Sequence, residues 1–258
     1  MIKELYTAAM GMIPQQTRLE VIANNMANAN TTGFKRDSVF ERNLIDAKAN
    51  LWNTPGDAED DDPPIGKYTD FSSGSMQQTY NPLDIALNGD GFFVLQDEEN
   101  KQTLTRNGHF IISTEGTITA TDGKMLMGVN GPINVQQQVF GDNNTTNENR
   151  NVEIKVNDNG EVFANNEQVG SIIVAKVTNL NQMEKVSNEG FVTRNNAGIE
   201  YSSQENVSLK QGWLENSNVD IVKEMVQMIE LQRMFEAGSK VIHTNDSTLD
   251  NSIKLGRY

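Results

Sequence analysis

The chain has 258 residues, a formal net charge of -14 and no cysteine. That length accommodates one large domain or two modest ones with real cores. The acidic field repels nucleic acid and anionic lipid surfaces, and the missing thiols exclude disulfides, thiolate metal sites and cysteine nucleophiles.

The chain opens MIKELYTAAMGMIPQQ, with Glu4 and no long apolar core, so it does not read as a secretory leader. Leu5, Met12, Leu19 and Met26 recur every seven residues. Ala8, Ile22 and Ala29 follow three of these at a spacing of three, with Gln15 in the remaining slot. That places an apolar stripe on one face of a helix, assigned to 1–34. Pro14 interrupts it at a cost of about 3 kcal/mol, which predicts a kink near Gly11–Pro14 or a helix that begins at Pro14. Residues 35–75 read as an extended or loop connector. They hold PGDAEDDDPPIG at 55–66, a solvated acidic loop that lacks the Asp-x-Asp-x-Asp-Gly spacing of a calcium loop.

Residues 76–212 are β-type sequence. LDIALNGDGFFVL at 83–95 is two apolar runs around an Asn-Gly-Asp-Gly turn, which predicts a tight hairpin. Turn signals recur at Asn107-Gly108, Glu115-Gly116, Asp122-Gly123, Asn130-Gly131 and Asn159-Gly160. This close punctuation predicts a central all-β domain with Greek-key or meander connections, and 141–151 is a further polar loop. In the last segment, 213–258, Ile221, Met228, Phe235, Ile242 and Leu249 form consecutive sevens. Met225 and Ile253 occupy a companion register, and Val222 and Ile229 widen its start. Asn218 or Ser217 is the expected cap, and Glu224 suits the positive end of the helix dipole. Continuous helix here would run about 50 Å, and the seven-residue repeat predicts a coiled coil. The fold class is therefore α+β: long N- and C-terminal helices pairing as a coiled coil, with a central all-β domain.

Residues carrying chemistry are harder to find. Met125 follows Gly123-Lys124 where a phosphate loop needs Ser or Thr, and Gly89-Asp90-Gly91 lacks the third glycine of a dinucleotide site. Asp84 and Asp90 read as turn caps, and His109 and His243 are far apart. No run approaches the ~18 apolar residues of a membrane span. The expectation is a non-enzyme with no catalytic residue, cofactor or metal, no nucleic-acid partner and no direct membrane insertion. Apolar side chains concentrated in two terminal helices call for a partner, either each other or further copies.

Residues 21–36, VIANNMANANTTGFKR, carry Asn-Asn-x-Ala-Asn-x-x-Thr-x-Gly-Phe-Lys at Asn24, Asn25, Ala27, Asn28, Thr31, Gly33, Phe34 and Lys35. Asn side chains bond backbone groups and so end a helix well; Gly33 permits a turn, and Phe34 can anchor the next segment in apolar packing. This run resembles the N-terminal signature of the bacterial flagellar basal-body rod and hook proteins. NPLDIALNGDGFF at 81–93 and LTRNGHF at 104–110 resemble their central block. QGWLENSNVDIVKEMVQMIELQRMFEAGSKVI at 211–242 resembles their C-terminal block, through Gly212, Glu215, Ser217, Asn218, Val219, Glu224, Met225, Ile229, Gln232, Arg233 and Lys240. The resemblance implies a structural subunit of the basal-body rod that spans the periplasm. Such a subunit is exported by the flagellar type III system without a cleaved signal peptide and polymerises into the axial drive shaft through its terminal helices. Its implied partners are copies of itself, other rod or hook subunits, and the export apparatus. Residues 69–82 look closer to the proximal-rod type, which is favoured; 7–25 lean towards the distal type. A distal-rod or hook-type subunit, or a soluble non-polymerising binding module, is the alternative. The expected assembly residues are Leu5, Met12, Leu19, Ile22, Met26, Asn24, Asn25, Asn28, Thr31, Gly33 and Phe34 at one end. At the other they are Ile221, Met225, Met228, Phe235, Ile242 and Leu249.

Overall fold

The computed structural model describes residues 2–41, 65–135, 153–187, 189–193, 198–202 and 208–255, with the side chains of 2–13, 41, 65, 245–246 and 249–255 outside the description. The acidic loop at 57–62 and the polar stretch 141–151 therefore lie outside the described residues. The fold is α+β and divides into two compact units. Unit 1 is Met1–Ala29, Arg36–Asp70 and Val219–Tyr258; unit 2 is Asn30–Lys35 and Phe71–Asn218.

Unit 1 contains helices α1 (Ile2–Ala27) and α2 (Ile221–Leu255) and strands β1 (Asp37–Glu41) and β2 (Ile65–Thr69). Helix α1 passes through Pro14, so the alternative of a start at that residue is not the one adopted. The neighbouring Ala, Met and Gln residues are good helix formers, and their bonds outweigh the one that proline removes. The two helices pack on each other. Val21 and Ile22 of α1 and Leu231 of α2 are buried. The segment expected as a connector carries paired strands at both its ends: β1 and β2 are antiparallel, with Asp37 opposite Thr69 and Phe40 opposite Gly66. Phe40 lies across Gly66, where any Cβ would run into its ring.

The cap of α2 is neither Asn218 nor Ser217 but Asp220, whose Oδ1 accepts from the N–H of Val222 at 3.0 Å and of Lys223 at 3.2 Å. Asn218 is engaged elsewhere in unit 2, donating from Nδ2 to Ser72 O at 3.1 Å. A carboxylate one residue before the helix reaches the two orphan amides that Asn218 would have to reach across three positions.

Unit 2 is β structure. Its largest sheet contains β5 (Phe92–Gln96), β6 (Gln102–Thr105), β7 (Phe110–Ile112), β8 (Ile118–Ala120), β9 (Met125–Gly128), β15 (Met183–Lys185) and β16 (Gly190–Thr193) in the order β15-β16-β6-β5-β9-β8-β7. On its flanks β10 (Gly131–Pro132) pairs with β9, and β14 (Val174–Val177) pairs with both β5 and β17 (Ile199–Ser202). Smaller sheets join β11 (Ile154–Val156), β12 (Glu161–Ala164) and β13 (Glu167–Ser171); β4 (Ile85–Leu87) with β18 (Leu209–Gln211); and β3 (Met76–Gln78) with β19 (Trp213–Glu215).

Glu115-Gly116, Asp122-Gly123, Asn130-Gly131 and Asn159-Gly160 each connect an antiparallel pair, as their positive-φ chemistry predicts. The expected hairpin over 83–95 does not form. β4 pairs with β18, whereas β5 pairs with β6, β9 and β14. The reason is burial on both faces. Phe93 and Leu95 enter one hydrophobic cluster with Ile85, Phe110 and Leu126, while Phe92 and Val94 enter a second with Leu104 and Phe191. A strand apolar on both faces needs the middle of a sheet, which an isolated ribbon cannot supply. Asn107-Gly108 is no hairpin turn either: Gly108 lies against the Ile85 carbonyl, and the Ile85 N–H donates to Gly108 O at 2.9 Å. The β12–β13 turn, which the dipeptide signals miss, uses Asn165 and Asn166 at φ 50° and 69°.

Candidate assembly site

The Asn-rich signature lies at the end of α1 and works through its side chains. Asn28 closes the helix by donating from Nδ2 to Asn24 O at 2.9 Å, alongside its own N–H at 3.1 Å. Asn25 is fully buried and takes hold of Asp37 at the start of β1. Its Nδ2 donates to Asp37 O at 2.8 Å, and its Oδ1 accepts the Asp37 N–H at 3.0 Å. The same amide lies 3.4 Å from Oε2 of Glu224. Glu224, in the first turn of α2, has a side chain with no exposed surface and takes Arg36 Nε on its other oxygen at 2.5 Å. A carboxylate out of water needs such donors on both oxygens. Within unit 1, one glutamate and one asparagine thus tie both helices to β1. Beside them opens a groove of about 260 Å³ walled by Val21, Ile22, Val39, Leu231 and Met234.

In unit 2 the signature continues through Gly33, Phe34 and Lys35. Gly33 has φ +70°, donates its N–H to Glu215 O at 2.8 Å, and lies so close to the chain at Arg106-Asn107 that a Cβ would sit 2.7 Å from Asn107 Cα. Phe34 is fully buried, with Lys185 Nζ 3.8 Å above its ring, a cation–π contact. Lys35 Nζ donates to Glu215 Oε1 at 2.7 Å and to Ser72 O at 2.8 Å. Neither partner of that ion pair exposes more than 1% of its side chain. Glu215 also accepts from Gly74 N at 2.9 Å and from Arg106 at 3.4 Å. Burial lowers the pKa of the Arg106 guanidinium below its ordinary value, and the charges of Glu215 and Asp90 oppose that shift.

The expected interface residues divide by exposure. Ile22, Asn25, Asn28, Gly33 and Phe34 are buried; Leu19, Met26 and Thr31 are half-buried; Asn24 is exposed. On α2, Met228 and Ile242 are half-buried, while Ile221, Met225 and Phe235 are 40%, 48% and 40% exposed. Leu5, Met12 and Leu249 have side chains outside the described set. The line that a single chain buries along α2 runs instead through Glu224 and Leu231. Val222, Val226 and Ile229 join Ile221 and Met225 in an exposed apolar row at the helix start. Sequence reasoning missed Arg36 and Arg106 altogether, and it missed Glu215 and Glu224 as buried ion partners. Their presence in a matching block was visible, but their partners lie far away in the chain.

Elsewhere, His109 Nδ1 lies 2.6 Å from Asp84 Oδ1, which also accepts from Asn81 at 3.0 Å, so this pair braces the entry to β4. Among the described residues no group of three or more His, Cys, Asp or Glu is placed to hold a metal ion, and no helix is long and apolar enough to cross a membrane. The polar groups around Glu224 in unit 1 and around Glu215 in unit 2 hold backbone segments in place, in an α+β protein whose two terminal helices belong to one unit.

Comparison with known proteins gives that class a family. Residues 5–35 match the family described as flagella basal body rod protein, 86–164 the flagellar hook protein FlgE/F/G D1 domain, and 210–255 the flagellar basal body rod FlgEFG protein C-terminal family. The chain is 32% identical to the flagellar basal-body rod protein FlgG of Borreliella burgdorferi and 30% identical to that of Bacillus subtilis, with 100% of each chain covered in both cases. It is 28% identical to the FlgF rod protein of Mesorhizobium japonicum over 97% of this chain and 96% of the relative. The chain belongs to the flagellar basal-body rod protein family, and is a structural subunit of the flagellar basal body.

Proposed function

We propose that the chain polymerises with copies of itself and with other rod or hook subunits into the axial drive shaft, through its terminal helices. The observation that carries this reading is the apolar row Ile221, Val222, Met225, Val226 and Ile229, which lies 40–70% exposed along the first turns of α2. Covering each half-exposed side chain contributes about 1 kcal/mol, a gain that accrues along a repeating contact. In this reading the expected residues Leu5, Met12, Leu19, Met26, Met228, Phe235, Ile242 and Leu249 take part in the same assembly, with α1 and α2 pairing as a coiled coil in the core, whereas Ile22 is already buried within the single chain. The β domain at 76–212 and the segment 35–75 complete the proposed subunit. The family resemblance supports export by the flagellar type III system. Three relatives at 30% identity or more over nearly the whole chain carry the name FlgG, the distal rod subunit, which supports distal over proximal placement.

The test replaces Met225 and Ile229 by Asp. Both are exposed in the single chain, so circular dichroism of the purified variant is expected to match the parent. Rod assembly and motility are expected to fail when the variant is the sole copy. Parental motility from a variant confirmed to be present would remove this row from the assembly contact.

A further inference from the structure

The sequence contains Asn-Gly at 88–89, 107–108, 130–131 and 159–160. In this dipeptide the glycine nitrogen can attack the asparagine side-chain carbon, because glycine presents no side chain to hinder the approach. The N–Cγ bond forms, the Cγ–Nδ2 bond breaks, and ammonia leaves. Water then opens the cyclic imide at either carbonyl, leaving aspartate or its β-linked isomer. The step requires a glycine N–H free of other bonds, an asparagine amide that is loosely held, and room to turn.

The four pairs differ in all three respects. Asn107 is buried, with Oδ1 accepting from Thr32 at 2.9 Å and from the His109 N–H at 3.0 Å, and with Nδ2 bonded to the Glu189 carboxylate. Gly160 is buried and its N–H donates to Asn157 O at 2.9 Å. Gly131 is held in a strand pair opposite Gly128. Asn88 and Gly89 are both exposed. Among the described residues the Asn88 amide makes one long bond, 3.4 Å to Ser208 Oγ. Gly89 has φ +113° with nothing within 4 Å of its Cβ position, and its N–H takes part in none of the backbone bonds among the described residues.

We propose that Asn88 is a site of spontaneous imide-mediated conversion, and that the fold protects the chemically identical pair at Asn107. Conversion adds a carboxylate two residues before Asp90. In the β-linked product it also lengthens the backbone where the Asn88 N–H donates to Ser208 O at 2.8 Å, at the end of the β4–β18 pair. For a subunit built into the assembly proposed above, this makes the corner between β4 and β5 a record of its age.

The full chain is incubated in mildly alkaline buffer, with and without concentrated urea, and mapped by peptide mass spectrometry with fragmentation that separates the two isomers. In the native chain Asn88 is expected to convert at least about tenfold faster than Asn107, whose reaction must wait for local opening, with Asn130 and Asn159 between them. In urea the Asn88 and Asn107 rates are expected to converge within about threefold, because structure no longer separates them. Asn88→Gln, which closes a larger ring slowly, is expected to stay unconverted at that position. Native Asn107 converting as fast as Asn88, or Asn88 intact in the native chain while it converts in urea, would overturn the proposal.

Discussion

Asn25 grips Asp37 by both edges of its peptide backbone, donating to its carbonyl at 2.8 Å and accepting its N–H at 3.0 Å. One side chain at the end of α1 thereby imitates a neighbouring strand and fixes where β1 begins. Asn25→Ala leaves both Asp37 groups without their buried partner and is expected to cost about 2–3 kcal/mol, read by urea unfolding. Asn25→Asp is expected to cost more at neutral pH, because the introduced carboxylate faces that of Glu224. Like-charge repulsion raises its folded pKa above the unfolded value, so the extra loss should fade as pH falls through that raised value. A penalty that stays constant with pH would argue against this placement of Glu224.

The Lys35–Glu215 pair at 2.7 Å calls for a double-mutant cycle. Glu215→Gln strands two buried cations, Lys35 and Arg106, and is expected to cost about 3–5 kcal/mol. Lys35→Met leaves Glu215 still compensated by Arg106 and should cost less. The double variant is expected to be more stable than the sum of the singles by at least about 1 kcal/mol. Simple additivity would mean that the two charges are not coupled.

Two glycines at positive φ separate backbone conformation from crowding. Gly123, at φ +85°, has nothing within 4 Å of its Cβ position, so Gly123→Ala should cost only about 1 kcal/mol of conformational strain. Gly33→Ala adds a collision with the backbone at Arg106 and Asn107 and is expected to cost at least about 3 kcal/mol, or to prevent folding of unit 2. Thermal unfolding of the two variants side by side gives the comparison, and equal losses would contradict it.

Asp220→Ala tests the observed cap. Loss of its bonds to Val222 and Lys223 is expected to cost about 1 kcal/mol. Hydrogen exchange should quicken at those two amides first. Asn218→Ala should leave them unchanged.

Much of the fold was legible locally. Period seven marked both helices, and glycine after Asn, Asp or Glu marked hairpins at 115–116, 122–123, 130–131 and 159–160. The failures share a cause. Whether 85–87 and 92–96 pair with each other depends on strands such as β14 and β18, more than eighty residues later, and a dipeptide carries no information about them. Likewise Lys35 and Arg36 are adjacent and alike in charge, yet one meets Glu215 in unit 2 and the other Glu224 in unit 1. Period seven identified an apolar helix without saying which flank one chain buries, because Leu231 and Ile229 are equally apolar.

Asn25 and Glu224 are 199 residues apart in the chain. Bringing such distant points together from a disordered coil costs about 5 kcal/mol in chain entropy. A polypeptide delivered from its N-terminus therefore produces α1 before α2 and must leave it without that partner until the whole of unit 2 has emerged. Unit 2 faces no such wait, since its last residue, Asn218, precedes α2. Once Lys35 has met Glu215, the starting points of the β1 and α2 segments are already gathered, and most of that entropy has been lost. The order of events is thus written into the connectivity: the sheets of unit 2 can close before α2 emerges, and the helical unit is completed only when α2 arrives.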